Sequence, residues 1–132
     1  MIEIKGIGHF SIPVSDVEKS AKWYSDVVGC RLLRGDKRQA FMDAGGTCIL
    51  LVKENEPVVQ SDTTDLAHQA FVISPEQYAT IGDHLAKHGV EILYSEDREG
   101  GTVNGPRTYF RDPDGHRLEF INLTSYNANP RP

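Results

Sequence analysis

The chain has 132 residues, of which 39% are hydrophobic and 25% are charged, and this composition is typical of one soluble globular domain. Lysine and arginine number 14 against 19 aspartate and glutamate residues, so the net charge is −5, and we find no basic patch of the kind that nucleic-acid binders carry. The sequence contains neither an apolar run of the roughly 18 residues that cross a bilayer nor a signal-peptide pattern, so we expect a cytoplasmic protein in which Cys30 and Cys48 are free thiols.

The first predicted element is a strand over residues 6–15, in which apolar and polar residues alternate as they do in a half-buried strand. Three apolar side chains share one face of this strand, and His9 and Ser11 share the other. A helix is predicted next, with Ser15 as its N-cap and apolar residues at helical spacing as far as Gly29, which is a natural stop. The chain therefore begins with a strand followed by an amphipathic helix.

A hairpin is predicted after this helix. The run Asp43-Ala44-Gly45-Gly46 indicates a turn between two strand-like segments, because these residue types favour tight turns. Residues 53–64 are polar and contain one proline, which is typical of a linker. We therefore expect a first module that ends near residue 53.

The second half of the sequence repeats this pattern. Residues 65–74 match the first strand and place His68 where that strand has His9. A second helix is predicted from Ser74, an expected N-cap that is followed by Pro75 at the first helical position. The repeated pattern predicts that the two histidines occupy equivalent places on two sheets.

A third match supports the repeat. Residues 107–120 align without gaps on residues 38–51 and share an arginine, a phenylalanine, an aspartate and a glycine with them. Asp112-Pro113-Asp114-Gly115 predicts a turn in the second hairpin, and the polar stretch 95–106 is interpreted as a loop. Each half is thus predicted to contain a strand, a helix, a strand and a hairpin in that order. A half of about 60 residues buries too little surface to be stable alone, so we expect the two halves to pair.

Three polar side chains are predicted to lie on the sheet faces away from the helices. They are His9, His68 and Glu119, the last of which interrupts an otherwise apolar strand. Two imidazoles and one carboxylate on strands can hold a divalent ion through one face and leave positions open for water and substrate. The spacing alone leaves the alternative open that each is a hydrogen-bonded or edge residue with a structural role.

Other candidate residues have simpler interpretations. His84 and His88 lie four residues apart at the end of the second helix, where histidine is favoured by the helix dipole, and we expect them at the surface. His116 falls in the predicted hairpin turn and is expected to be exposed. Trp23 and Tyr24 are expected to be core or interface aromatics.

The motifs that carry a family resemblance lie between about residues 5 and 123 and are Gly8-His9-Phe10-Ser11-Ile12-Pro13-Val14-Ser15-Asp16, Trp23-Tyr24, Val28-Gly29-Cys30, Ala67-His68-Gln69-Ala70-Phe71 and Tyr109-Phe110-Arg111-Asp112-Pro113-Asp114-Gly115-His116-Arg117-Leu118-Glu119. Together they resemble the vicinal oxygen chelate superfamily, which includes glyoxalase I, fosfomycin-resistance enzymes, extradiol dioxygenases and bleomycin-binding proteins. The resemblance implies an α+β fold in which two βαβββ modules, about 5–53 and 64–123, form a cupped, incomplete β-barrel. It also implies one glyoxalase-like domain over residues 1–132 and a homodimer.

The same resemblance implies the site residues. The metal ligands would be His9, His68 and Glu119, around one divalent ion of manganese, iron, zinc or nickel, with ligands from one chain or from two. The fourth equivalent place is Leu50, which cannot bind a metal. This departs from glyoxalase I and agrees with three-ligand members such as the fosfomycin-resistance enzymes. Ser11 and Tyr109 are expected to act in catalysis by hydrogen bonding to an oxyanion.

The function that follows from the resemblance is that of a metal-dependent enzyme. It would chelate a small oxygenated substrate and stabilise an oxyanion in lyase, thiol-transfer or epoxide-opening chemistry. One alternative is an extradiol-type Fe(II) dioxygenase, and another is a metal-free protein of the bleomycin-resistance type that sequesters an antibiotic. No nucleic-acid or membrane partner is expected.

Overall fold

The structure is a computed structural model of the chain, and it describes residues 1–56 and 67–128. The chain divides into two compact units, Met1–Gln60 and Ser61–Pro132, which are described one at a time. Most of the predicted linker at 53–64 lies outside the described residues. The finer module boundaries predicted from the sequence stay predictions.

The first unit is a four-stranded sheet with one helix, in the strand order β1-β4-β3-β2. The first and last strands, β1 and β4, are parallel, and β3 is antiparallel to both of its neighbours. The helix α1 continues into a π-helical turn over Tyr24–Val28. The elements are β1 (His9–Val14), α1 (Val17–Trp23), β2 (Arg31–Gly35), β3 (Gln39–Ala44) and β4 (Thr47–Lys53).

The helix of the first unit begins one residue later than predicted. Asp16, not Ser15, is the N-cap, and its Oδ1 accepts a hydrogen bond from the backbone N–H of Lys19 at 3.1 Å. Both residue types cap helices well, so two adjacent candidates left the start ambiguous in the sequence. The predicted end is confirmed, because Gly29 has a left-handed φ of 90° that few other residues adopt.

The second unit is a sheet in the order β5-β8-β7-β6, with a short β9 paired to β7. Its first and last long strands, β5 and β8, are again parallel. The elements are β5 (His68–Val72), α2 (Pro75–Ala79), α3 (Ile81–Lys87), β6 (Tyr94–Arg98), β7 (Val103–Arg111), β8 (Arg117–Ile121) and β9 (Ser125–Tyr126). The prediction of a loop at 95–106 is therefore wrong, because β6 and the start of β7 occupy most of these residues.

The second helix keeps its predicted start but is interrupted. Ser74 caps α2 in a capping box, in which its hydroxyl accepts from the backbone N–H of Gln77 at 3.1 Å and Gln77 bonds back to Ser74. Thr80 has φ −109° and ψ 5°, outside the helical range, and separates α2 from α3. The single predicted helix is thus two short ones.

The strand register reproduces the repeat and corrects one part of its alignment. His9 pairs with Cys48 in the first unit, and His68 pairs with Arg117 in the second, so these strands are equivalent as predicted. The hairpins differ, because Phe41 pairs with Leu50 whereas Tyr109 pairs with Glu119. The turn of the second hairpin holds one residue more, so the gapless alignment is shifted by one residue along β3 and β7.

Each unit buries an apolar core on one face of its sheet. The exposed and buried residues of β1 alternate as predicted, and Tyr24 is fully buried in the first unit. The rings of Phe110 and Phe120 stack in the second unit with their centroids 4.8 Å apart. None of the helices in residues 1–56 and 67–128 has the length and apolar character to span a bilayer.

Candidate metal centre

Three predicted site residues share one face of the sheet in the second unit. The strand register pairs Glu119 with Ala70 of β5 on one side and with Tyr109 of β7 on the other. Paired residues of neighbouring strands, and residues two apart along a strand, project to the same face. His68, Tyr109 and Glu119 therefore lie together on one face, as the sequence predicted for the histidine and the carboxylate.

The imidazole of His68 and the carboxylate of Glu119 are in direct contact. Nε2 of His68 lies 3.2 Å from Oε1 of Glu119, and the exposed fractions of the two side chains are 36% and 2%. Metal–ligand bonds of about 2.0–2.2 Å meeting near a right angle separate two donor atoms by about 3 Å. The distance between the two side chains therefore fits two neighbouring ligands of one divalent ion.

Glu119 is a buried carboxylate with a buried cation beside it. Its Oε2 lies 4.0 Å from Nη1 of Arg107, whose side chain is almost as deeply buried. Removing a carboxylate from water is costly unless an opposite charge or hydrogen bonds compensate for it. The pairing with Arg107 and His68 explains how a strand otherwise made of apolar residues accommodates this charge.

The hydroxyl of Tyr109 belongs to the same cluster and stays protonated. It donates a hydrogen bond to Oε1 of Glu96 at 3.2 Å. Burial, followed by the charge and hydrogen bonding of Glu119 and the charges of Glu96 and Tyr94, raises the pKa of Tyr109 to about 12. At neutral pH this phenol is therefore a hydrogen-bond donor, as the proposed contact with an oxyanion requires.

Sequence reasoning missed several residues of this face. The guanidinium of Arg117 lies 4.3 Å from the ring centroid of Tyr109 and 5.0 Å from that of Tyr94, and it also donates a hydrogen bond to the Tyr94 hydroxyl. The rings of Tyr94 and Tyr109 stack with centroids 4.5 Å apart. Period-two spacing along β7 places Arg107 on the same face as Tyr109, but only the folded sheet shows that Arg107 lies beside Glu119.

His9 and Ser11 belong to the first unit. They lie exposed on β1, on the face opposite the buried Ile12 and Val14. Within each unit, and over residues 1–56 and 67–128, no three His, Cys, Asp or Glu side chains lie close enough together to hold an ion. The structure thus brings His68, Glu119 and Tyr109 together, and the addition of His9 and Ser11 to them stays a prediction.

The remaining histidines are His84, His88 and His116. The rings of His84 on α3 and of His88, its C-cap residue, are 4.7 Å apart; His88 is exposed as predicted, whereas His84 is half-buried. His116 is half-buried rather than exposed, because its backbone N–H and C=O both bond to Asp112 across the hairpin turn.

Both cysteines are free thiols, as predicted. Cys30 is buried, and burial, followed by the negative charge of Asp43, raises the pKa of Cys30 to about 11. Cys48 is half-buried on β4 beside His9. Only Cys48 therefore lies on the sheet face that carries a predicted ligand.

Comparison with known sequences identifies relatives over most of the chain. The family model described as Glyoxalase/Bleomycin resistance protein/Dioxygenase superfamily matches residues 6–120. The chain is 31% identical over 117 residues to the metallothiol transferase FosB of Lysinibacillus sphaericus, a match that covers 89% of this chain and 82% of that protein. It is 28% identical over 118 residues to the glutathione transferase FosA of Serratia marcescens, with 89% and 80% covered.

Comparison with solved structures confirms the predicted α+β, glyoxalase-like fold. The fosfomycin resistance protein FosX from Listeria monocytogenes, crystallised with Mn(II) and sulfate, matches with a TM-score of 0.73 at 21% identity, covering 90% of each chain. An integron cassette protein from the mobile metagenome of the Halifax Harbour sewage outfall matches with a TM-score of 0.73 at 26% identity, covering 91% of this chain and all of that one.

Proposed function

The chain belongs to the glyoxalase/bleomycin resistance protein/dioxygenase superfamily. We propose that it is a divalent-metal-dependent enzyme that adds a nucleophile to a small, acidic, oxygenated substrate such as fosfomycin. The observation that carries the proposal is the contact of 3.2 Å between His68 and Glu119 on the face that also presents Tyr109. The named relatives are transferases, so the prediction of an enzyme is confirmed at the level of the family.

The proposed metal ligands are His68 and Glu119, joined by His9 of the same chain or of a partner chain. Their donor set of two imidazoles and one carboxylate suits manganese, iron, zinc or nickel. When bound, such an ion supplies Lewis acidity toward substrate oxygens. A homodimer is part of the proposal, because a partner chain can then contribute His9.

The chain's own side chains supply the rest of the chemistry. In epoxide opening by a thiol, a new C–S bond forms as a ring C–O bond breaks, and the released oxygen becomes an alkoxide that takes up a proton. The protonated hydroxyl of Tyr109 donates a hydrogen bond where this charge develops, and Ser11 is proposed as a second donor. Arg117, which pairs with His68 in the sheet, places a positive charge where an acidic substrate group can meet it.

Elemental analysis of the freshly purified chain tests the proposal. We expect about one divalent ion per chain in the wild type and its loss in Glu119→Gln. Glu96→Gln is the matched control, because Glu96 is a carboxylate next to Tyr109 that we do not propose as a ligand, and it should retain the ion. The metal-loaded protein should then consume fosfomycin in the presence of Mn(II) and a thiol. Phosphorus NMR measures the loss of fosfomycin.

Other outcomes distinguish the alternative functions. Bound iron together with oxygen-dependent cleavage of catechols would favour the extradiol dioxygenase. A wild-type protein that retains no metal and binds added ions no better than Glu119→Gln would refute the metal-dependent enzyme. Tight binding of an intact antibiotic by that metal-free protein would then favour sequestration.

A further inference from the structure

We infer that Arg107 is a positioning residue, which fixes the carboxylate of Glu119 so that one oxygen remains directed toward His68. The inference rests on the proposed metal site and adds a residue that the proposed chemistry does not include. Arg107 touches neither the substrate nor the ion in this role, because it acts through Glu119.

The two oxygens of the Glu119 carboxylate have different neighbours. Oε1 lies 3.2 Å from Nε2 of His68, and Oε2 lies 4.0 Å from Nη1 of Arg107. The distance of 4.0 Å is too long for a hydrogen bond, so Arg107 acts by its charge and by filling the space beside Oε2. A carboxylate held on one side in this way presents its other oxygen in a fixed direction.

Arg107 is itself immobilised by the backbone of its own strand. Its Nε donates to the carbonyl of Gly105 at 3.2 Å, and its Nη2 donates to the carbonyl of Val103 at 2.8 Å. These two bonds occupy one edge of the planar guanidinium and leave Nη1 directed at Glu119. The arginine therefore behaves as a fixed part of the sheet rather than as a flexible side chain.

The backbone that holds Arg107 is clamped at Gly105. This glycine has a φ of +127°, and a Cβ there would lie 2.0 Å from the carbonyl oxygen of Asn122. The backbone N–H of Asn122 donates to the carbonyl of Pro106, and that of Thr124 donates to the carbonyl of Asn104. The absence of a side chain at residue 105 allows this close packing, which fixes the carbonyl that Arg107 uses.

The first unit provides an internal comparison. By strand register, Gln39 takes the place of Arg107 and Leu50 takes the place of Glu119. The half without the carboxylate thus also lacks the arginine, and Gln39 is exposed. This joint difference agrees with a role for Arg107 that depends on Glu119.

Mn(II) binding tests the inference in the intact protein. We expect Arg107→Met to weaken Mn(II) binding by about 10–100-fold and to change the electron paramagnetic resonance signal of the bound ion. Arg107→Lys keeps the positive charge but lacks the planar guanidinium. Its Mn(II) dissociation constant should lie between those of the wild type and Arg107→Met. Arg111→Met is the matched control, because Arg111 is on the same face of β7 and donates to the carbonyl of Gly115; its dissociation constant should stay within about two-fold of wild type.

A purely structural arginine would lower the thermal midpoint without changing the Mn(II) dissociation constant of the folded protein. A folded Arg107→Met protein with the wild-type constant and signal would therefore overturn the inference. A wild-type chain that binds none of Mn(II), Fe(II), Zn(II) and Ni(II) would instead refute the proposed function, so the two failures are distinguishable.

A second measurement applies even where Arg107→Met folds poorly. In the metal-free Glu119→Gln background the arginine has no carboxylate charge to fix. Arg107→Met should therefore lower the thermal midpoint less in that background than in the wild type. An equal loss in both backgrounds would contradict the coupling between Arg107 and Glu119.

Discussion

Glu119 of the second unit and Leu50 of the first hold the same place in two sheets of the same strand order. Each lies on the last long strand of its sheet, paired with a small residue of the first strand, Ala70 in one case and Ser11 in the other. Glu119 is buried and Leu50 is half-buried. One unit therefore keeps a carboxylate at a place where the other keeps an apolar side chain.

The difference extends to the neighbouring strand. Tyr109 and Arg107 of β7 correspond by register to Phe41 and Gln39 of β3. A hydroxyl, a cation and a carboxylate of the second unit are thus absent together from the equivalent places of the first. Of the predicted metal ligands, only histidine occurs at equivalent positions in both units, as His9 on β1 and His68 on β5.

Both units retain the apolar face of the sheet and differ in the face that carries the candidate site. The strand order, parallel pairing and apolar core recur in both units, because each sheet needs one buried face to be stable. The opposite face is under no such requirement, so its polar residues differ. Substitutions on each face test how far the two faces are independent.

Glu119→Leu gives the second unit the residue of the first. We expect loss of bound metal and a loss of activity of about 10³-fold or more, because a carboxylate ligand is replaced by a side chain that cannot bind an ion. Elemental analysis and turnover measure the two effects. Retention of a full equivalent of metal would show that Glu119 is not a ligand.

Tyr109→Phe makes the equivalent exchange on β7. We expect kcat to fall by about 10²–10³-fold with the metal retained, because one hydrogen-bond donor to the developing oxyanion is removed. Tyr78→Phe is the control, since its hydroxyl bonds to Thr108 on the opposite face at 3.0 Å. Comparable losses of kcat in both variants would contradict a specific role for Tyr109.

Substitutions in the buried faces should affect stability in both units. Leu51 and Phe120 are equivalent by register and are almost fully buried. We expect Leu51→Ala to lower the free energy of unfolding by about 2–5 kcal/mol and Phe120→Ala by about 3–5 kcal/mol. Denaturant unfolding measures both values, and a negligible effect in either unit would show that its sheet lacks the packed core described here.

The two cysteines of the first unit should differ in their reactivity with thiol reagents. A raised pKa leaves little reactive thiolate near neutral pH, so Cys30, with a pKa of about 11, should react slowly with a thiol reagent at pH 8. Cys48→Ser should therefore remove the faster-reacting thiol, and Cys30→Ser should leave it in place. A rapid reaction of Cys30 in the folded protein would contradict its burial.

Two helix ends, which depend on neighbouring residues, were predicted from the sequence. The N-cap at Ser74 and the stop at Gly29 were predicted because such features depend on a few neighbouring residues. The resemblance to the superfamily rested on longer motifs and is confirmed by the family match over residues 6–120. Strand alternation also predicted that His68 and Glu119 lie on the sheet faces away from the helices, and the two side chains are in contact.

Features that depend on turn length or on distant partners were not predictable in this way. Identical residues such as Phe41 and Phe110 favoured a gapless alignment, and the register shows that these two are displaced by one residue. The strand Tyr94–Arg98 looked like a loop because it is a largely exposed, polar edge strand. Arg107 was overlooked since only the folded sheet brings it beside Glu119.

The close approach of Gly105 to Asn122 has a consequence for how this protein tolerates mutation. Residue 105 bears no functional group, yet any side chain there would meet the carbonyl oxygen of Asn122 and require an unusual backbone conformation. In a library that contains every amino acid at residue 105, selection for activity should therefore deplete all variants other than glycine, including alanine. Residue 105 would then tolerate substitution as poorly as a reactive residue does, although its contribution is only the absence of a side chain.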